Sequence, residues 1–166
     1  MNDSDMPIID SKTLREKIKD NSIRIVDVRR EQDYQQGHIT NAINLPLAKL
    51  LADDSAESIQ KIAQDLGISD ETSVAVYDDT FGALSSRVVW ALQYIGHQDA
   101  KLLDVTYSQW KSLGFEISTE VPEIESTIHS VKINPEIMAT AEYLEKVKEN
   151  KNVVIIDNRE RLNFLE

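Results

Sequence analysis

A chain of 166 residues, 41% of them hydrophobic and 28% charged, holds enough apolar material for one packed domain and a remainder. Its formal net charge of −11 argues against nucleic acid and anionic membrane surfaces as partners, because both are bound through excess Lys and Arg. It contains no cysteine, which excludes disulfides, thiolate metal sites and any thiol nucleophile.

Ser11 is a candidate cap for a helix with Leu14 and Ile18 on one face. Ile23–Val28 is a short, nearly continuous apolar run of the kind that forms a buried strand, and Ala42–Leu45 is a brief extended segment. Ser55 can cap a helix whose stripe is Ile59, Ile62, Ala63 and Leu66, stopped by Gly67. Val74–Tyr77 is a second strand. Leu84, Val88, Ala91, Leu92 and Ile95 then share a helical face ending at Gly96, and Ser85-Ser86 falls on the surface of that helix. Lys101–Leu103 is a third strand, and a short helix over Tyr107–Leu113 stops at Gly114. This alternation predicts an α/β domain: a central, mainly parallel sheet holding Val26, Ile43 and Val76, covered by Ile62, Val88 and Leu92 from helices.

Ser118–Lys132 has three Glu, one Pro and no periodicity, which reads as an extended linker. Beyond it the sequence starts again. Val153-Val-Ile-Ile-Asp157-Asn-Arg159 repeats Ile23-Arg-Ile-Val-Asp27-Val-Arg29 at a fixed offset of 130, with Leu14/Leu144 and Tyr34/Phe164 matching at the same offset. A repeat of this length implies two copies of a domain. The expected organisation is a domain over 1–117, a linker over 118–133, and over 134–166 the incomplete beginning of a second copy, so that the chain is a fragment of something longer. Val153–Ile156 is expected to be a strand that lacks its neighbours and therefore docks or self-associates. The polar, acidic start and the absence of a long apolar run lead to the expectation of a soluble, cytoplasmic protein. His38, His97 and His129 stand singly, without ligand spacing; no metal and no cofactor is expected.

Several ordered motifs resemble the rhodanese-like family over about residues 8–117, with a restart from about 134. Ile25-Val-Asp-Val-Arg29, an aromatic at Tyr34, and Gly37-His-Ile-Thr-Asn-Ala42 are similar to the family's early motif. Val74-Ala-Val-Tyr77 resembles the strand leading into its active loop, Arg87–His97 the helix after it, and Leu103-Asp104 with Trp110 and Gly114 its end motif. The resemblance implies a three-layer rhodanese-like domain and persulfide chemistry on a cysteine directly after that strand, where backbone N–H groups and a helix dipole stabilise an anion. That position is Asp78, which makes Asp78, Asp79, Thr80, Phe81, Gly82 and Ala83 a degenerate active loop. An aspartate there is what the first domain of tandem sulfurtransferases carries. Val105-Thr106 departs from the family in standing where two glycines are usual.

Within these motifs, Gly37 suits a turn, His38 can bridge loop carbonyls, and Asp27 can accept N–H groups from the next loop. Arg29 can brace that loop or pair with Glu31 or Asp33. By resemblance, Asp157 is the structural acid of the second copy, and Arg159 the substrate-binding arginine of a complete second domain. Dehalogenase-type phosphatases need two carboxylates separated by one intervening residue, whereas Asp78 and Asp79 are adjacent. Rhodanese-like phosphatases need a Cys, and Arg87 is too distant for their loop.

The functional expectation is the silent first domain of a thiosulfate or 3-mercaptopyruvate sulfurtransferase, its persulfide cysteine lying beyond residue 166. Its partners would be a small sulfur-containing anion, a thiol or cyanide acceptor, and the second domain. The 166 residues alone would not catalyse. The alternative is a non-enzymatic rhodanese-like module for interaction or regulation.

Overall fold

The computed structural model describes residues 7–157, with seven α-helices and seven strands among them. They fall into two compact units, one ending at Asn134 and one beginning at Pro135. The first contains β1 (Ile8–Ile9), α1 (Ser11–Lys19), β2 (Arg24–Asp27), α2 (Glu31–Gln35), β3 (His38–Ile39), β4 (Ala42–Asn44), α3 (Leu47–Ala52), α4 (Ala56–Asp65), β5 (Val74–Tyr77), α5 (Ser85–Tyr94), β6 (Ala100–Leu103), α6 (Tyr107–Ser112) and β7 (Ile117–Ser118).

Five strands form one parallel sheet in the order β1-β6-β5-β2-β4, and β3 pairs with β7 antiparallel in a separate two-stranded ladder. The period-2 geometry of a strand explains the continuous apolar runs. Val26, Val74 and Val76 face one core with Leu50, Ile59, Ile62, Val88 and Leu92 from α3, α4 and α5. Ile25, Ala75 and Tyr77 point the other way, into a core with Leu14, Tyr34 and Trp110 from α1, α2 and α6. Ile43 is half-buried against the first core. Because both faces are covered, no polar alternation survives in these strands.

Local chemistry differs from the sequence reading at several points. The cap of α1 is Asp10, not Ser11: its carboxylate accepts the N–H groups of Lys12 and Thr13 at 3.0 Å, and Ser11 is already helical. Ser55 caps α4 as expected. At α6, Thr106 and Gln109 form a reciprocal capping box, which gives the segment before the helix a firm end.

Residues 119–134 carry no regular structure, yet they are tied down along their length as a strap. Thr127 N donates to the Gln64 carbonyl (3.1 Å), Lys132 N to that of Ile95 (2.9 Å) and Asn134 N to that of Tyr94 (2.8 Å). Gln60 Nε2 donates to the carbonyl of His129, whose side chain is buried. His97 and His129 are not isolated: His97 Nδ1 lies 3.2 Å from His129 Nε2.

The second unit holds a 3-10 turn at Pro135–Ile137 and α7 (Ala141–Val147), capped by Thr140. Val153–Ile156 does not form the expected strand. It pairs with no other strand among the described residues, and Val154 and Ile156 are 80% and 81% exposed. A strand is a cooperative object, and a β-branched run without a neighbour has no ladder to join. Asp157 is exposed. Arg159 lies outside the described residues. No described helix is long and apolar enough to cross a membrane.

Candidate functional site

The carboxyl ends of the central strands β2 and β5 set Asp27 opposite Tyr77, with Asp78 the next residue, in the region where parallel α/β sheets bind ligands. Asp78 follows β5 directly, and the chain turns over residues 79–84 before α5 begins at Ser85. The turn is tight enough to force positive φ at Phe81 (55°) and Gly82 (88°). Its backbone N–H groups converge on the Asp78 side chain. Oδ1 accepts from Thr80 and Gly82, and Oδ2 from Leu84 and Ser85, all at 2.9 Å; the Ser85 hydroxyl adds a fifth bond to Oδ2 at 3.0 Å. Ser85 is therefore not helix surface. It is buried and belongs to this cradle.

Burial alone would raise the pKa of the Asp78 carboxyl, but the N–H groups of Ser85, Gly82, Thr80 and Leu84 outweigh it and hold it at about 2. The side chain is only 2% exposed. The loop is thus an anion cradle whose anion is its own side chain. Of the other loop residues, Asp79 accepts Ser108 N (2.9 Å) and Oγ (2.7 Å), tying the loop to α6. Phe81 projects outward, 83% exposed. Thr80 and Gly82 contribute N–H groups, and Ala83 N closes a turn onto the Thr80 carbonyl.

Next to the cradle, Asp27 and Arg29 form a buried ion pair. Arg29 Nε donates to Oδ1 (3.0 Å) and Oδ2 (3.1 Å), and Nη2 to Oδ2 (2.6 Å). Arg29 Nη2 also donates to the Gly37 carbonyl at 2.8 Å. Its guanidinium lies over the Tyr107 ring, 3.7 Å from the centroid. Asp27 further accepts Arg29 N (2.9 Å) and the Tyr77 hydroxyl (2.5 Å), and Tyr77 in turn accepts Ile39 N. Arg29 therefore does not pair with Glu31 or Asp33; the closest acid, two residues back on the same side of the chain, takes it. Arg30 pairs with Asp33 instead. Burial opposes the Arg29 charge, but the Asp27 bonds outweigh it and raise the guanidinium pKa. Desolvation, followed by the Asp27 charge, pushes the Tyr77 hydroxyl well up.

His38 is fully buried, stacked on Tyr34 at 3.8 Å. Its ring nitrogens face the carbonyls of Tyr34 (2.9 Å) and Glu120 (3.0 Å), a bridge between loop and strap. Tyr77 and Tyr107 escaped the sequence reading. The signal for Tyr77 was available, since aligning β2 with β5 sets it opposite Asp27. A cleft of about 610 Å³ opens in front of the loop, lined among others by Arg29, Gly37, Asp79, Thr80, Tyr107 and Lys111. Among the described residues no group of three or more His, Cys, Asp or Glu could hold a metal ion.

A parallel sheet between two helical layers, with a strand-loop-helix cradle for an anion beside an Asp-x-Arg pair, defines a rhodanese-type domain. The family model for the rhodanese-like domain matches residues 10–113, and the chain belongs to that family. Among curated relatives, a sulfur carrier protein of Thermus thermophilus is 26% identical over 162 residues, covering 89% of this chain and 56% of that protein. A probable 3-mercaptopyruvate sulfurtransferase of Schizosaccharomyces pombe is 31% identical over 127 residues, covering 72% and 41%. The chain spans about half the length of the curated relatives it matches. The crystal structure of SseA from Escherichia coli, described as a 3-mercaptopyruvate sulfotransferase with the rhodanese fold, superposes with a TM-score of 0.84 at 21% identity. The match covers 96% of this chain and 68% of that one, and establishes the fold.

Proposed function

We propose that this chain is the catalytically silent domain of a tandem thiosulfate or 3-mercaptopyruvate sulfurtransferase, acting in the cytoplasm. In this reading sulfane sulfur rides on a cysteine persulfide that is not among these 166 residues. The observation that carries it is the Asp78 carboxylate accepting the four N–H donors that converge at this position. A carboxylate cannot form a persulfide, and here it occupies the place an anionic intermediate would need. The 130-residue repeat of Asp-x-Arg and the partial coverage of sulfurtransferase relatives support a second copy that does the chemistry. In that copy Arg159 would offer its forked donors to the substrate anion.

The test is sulfur transfer from thiosulfate to cyanide, and from 3-mercaptopyruvate to a thiol. The 166-residue chain should give no turnover. Asp78→Cys should remain inactive, because Arg29, which lines the cleft in front of the loop, is engaged by Asp27 and Gly37. A polypeptide extended through the full second copy should be active, and should lose activity when the cysteine at the counterpart of Asp78 becomes Ser. Turnover by the present chain would refute this reading, and a second copy without that cysteine would instead support a non-enzymatic interaction module.

A further inference from the structure

At the opposite end of the sheet from the Asp78 loop, a second cleft of about 310 Å³ lies where β2 and β5 begin. Asn21, Ser22, Arg24, Gly67, Glu71 and Thr72 are among its walls. Each of Arg29, Arg30 and Arg87 has a carboxylate partner: Asp27, Asp33 and Asp54 respectively. Arg24 differs. Among the described residues it makes no ion pair and its side chain donates no hydrogen bond, although the chain has 29 acidic residues against 18 Lys and Arg. Its Nε–H is enclosed without an acceptor. Burial lowers the pKa of the guanidinium, and no carboxylate offsets the loss. Arg24 as a whole is half-buried, so an acceptor entering the cleft would meet its Nη groups and offset part of the cost of desolvating the charge.

The surroundings make room for one. Gly67 sits at φ +66°, a conformation that favours glycine, and a Cβ there would come within 2.9 Å of Arg24 Nη2 and shift the guanidinium. The hydroxyls of Thr72 and Ser73 are engaged with Ser69 and Asp99, while the Asn21 amide has no partner among the described residues. One cation, one free amide and the Glu71 carboxylate on the wall suit a singly charged planar head group better than a dianion. We propose that this cleft binds the carboxylate of a small organic acid, with Arg24 as its fork and Asn21 as a second donor. The proposal does not depend on the sulfur-transfer reading.

The experiment is an NMR titration of the ¹⁵N-labelled 166-residue chain with acetate, and separately with inorganic phosphate, at ionic strength held constant with sodium chloride. Acetate should move the Arg24 Nε–H resonance and the amides of residues 21–24 and 71–73 saturably. Arg24→Gln should weaken the response by about tenfold or more, and Glu71→Gln should leave it intact or strengthen it. The Nε–H signal decides in the unmodified chain, even if Arg24→Gln folds poorly. Three outcomes would overturn the proposal: a linear response, meaning an adventitious ion only; a tighter response to phosphate than to acetate; or a response appearing only in Glu71→Gln, meaning Glu71 is the counterion of Arg24.

Discussion

Replacing Asp78 by Asn tests whether the loop is shaped around a charge. The amide keeps the size of the side chain, but one of its two heads becomes an NH₂ pointing at backbone N–H groups that now have no acceptor. Holding the carboxyl at about 2 instead of 3.8 corresponds to roughly 2 kcal/mol of folding stability at about 1.4 kcal/mol per pH unit. The mispaired donors add to this, so Asp78→Asn should lose about 2–4 kcal/mol at pH 7 in urea unfolding. The folded pKa is the depressed one. The charge-dependent part is therefore fully present above about pH 4 and disappears as pH falls toward 2. At pH 3 the difference between the two proteins should narrow by about 1 kcal/mol. A loss below about 0.5 kcal/mol at pH 7, or a difference unchanged between pH 7 and pH 3, would refute the anion-cradle account.

Val76, fully buried at the centre of β5, should cost about 1–3 kcal/mol when truncated to Ala; an unchanged melting temperature would contradict the core described above. His97 is buried, and that burial, with the adjacent His129, holds its pKa below 6.5, so acidification charges the unfolded chain first. Stability should fall as pH drops below about 6.5, the strap amides of residues 127–134 should exchange early, and His97→Asn should flatten that pH profile. Exposed Val154 and Ile156 should drive association: light scattering should show the 166-residue chain larger than a monomer at concentrations where a chain ending at Asn134 is monomeric.

What the sequence made legible follows from which interactions are local. β2 and β5 were readable because burial on both faces leaves an uninterrupted apolar run. The two-residue strands β1, β3 and β7 were not, because two residues carry no period and exist only through their partners. Asp78 was readable as the residue after a buried strand, whereas its four donors are backbone groups with no sequence signature. His97 and His129 lie 32 residues apart, and only the strap's path brings them together. Arg29 was half legible: it braces the following loop through the Gly37 carbonyl, as one of the two readings had it, but its acid partner is Asp27. Glu31 and Asp33 were weighed as its partners, but residues two apart on an extended chain project to the same side, which gives Asp27 the first claim. The same spacing recurs at Asp157 and Arg159. An Asp-x-Arg pair therefore does not by itself mark an anion-binding arginine: Nε and Nη2 of Arg29 are taken by the acid and a carbonyl, and its guanidinium lies over a tyrosine face. Under the proposed reading, Arg159 could serve a substrate only through donors that no neighbouring acid takes. At Arg29, Nε and Nη2 serve Asp27 and the Gly37 carbonyl, so any further acceptor would have to meet the Nη1 donors.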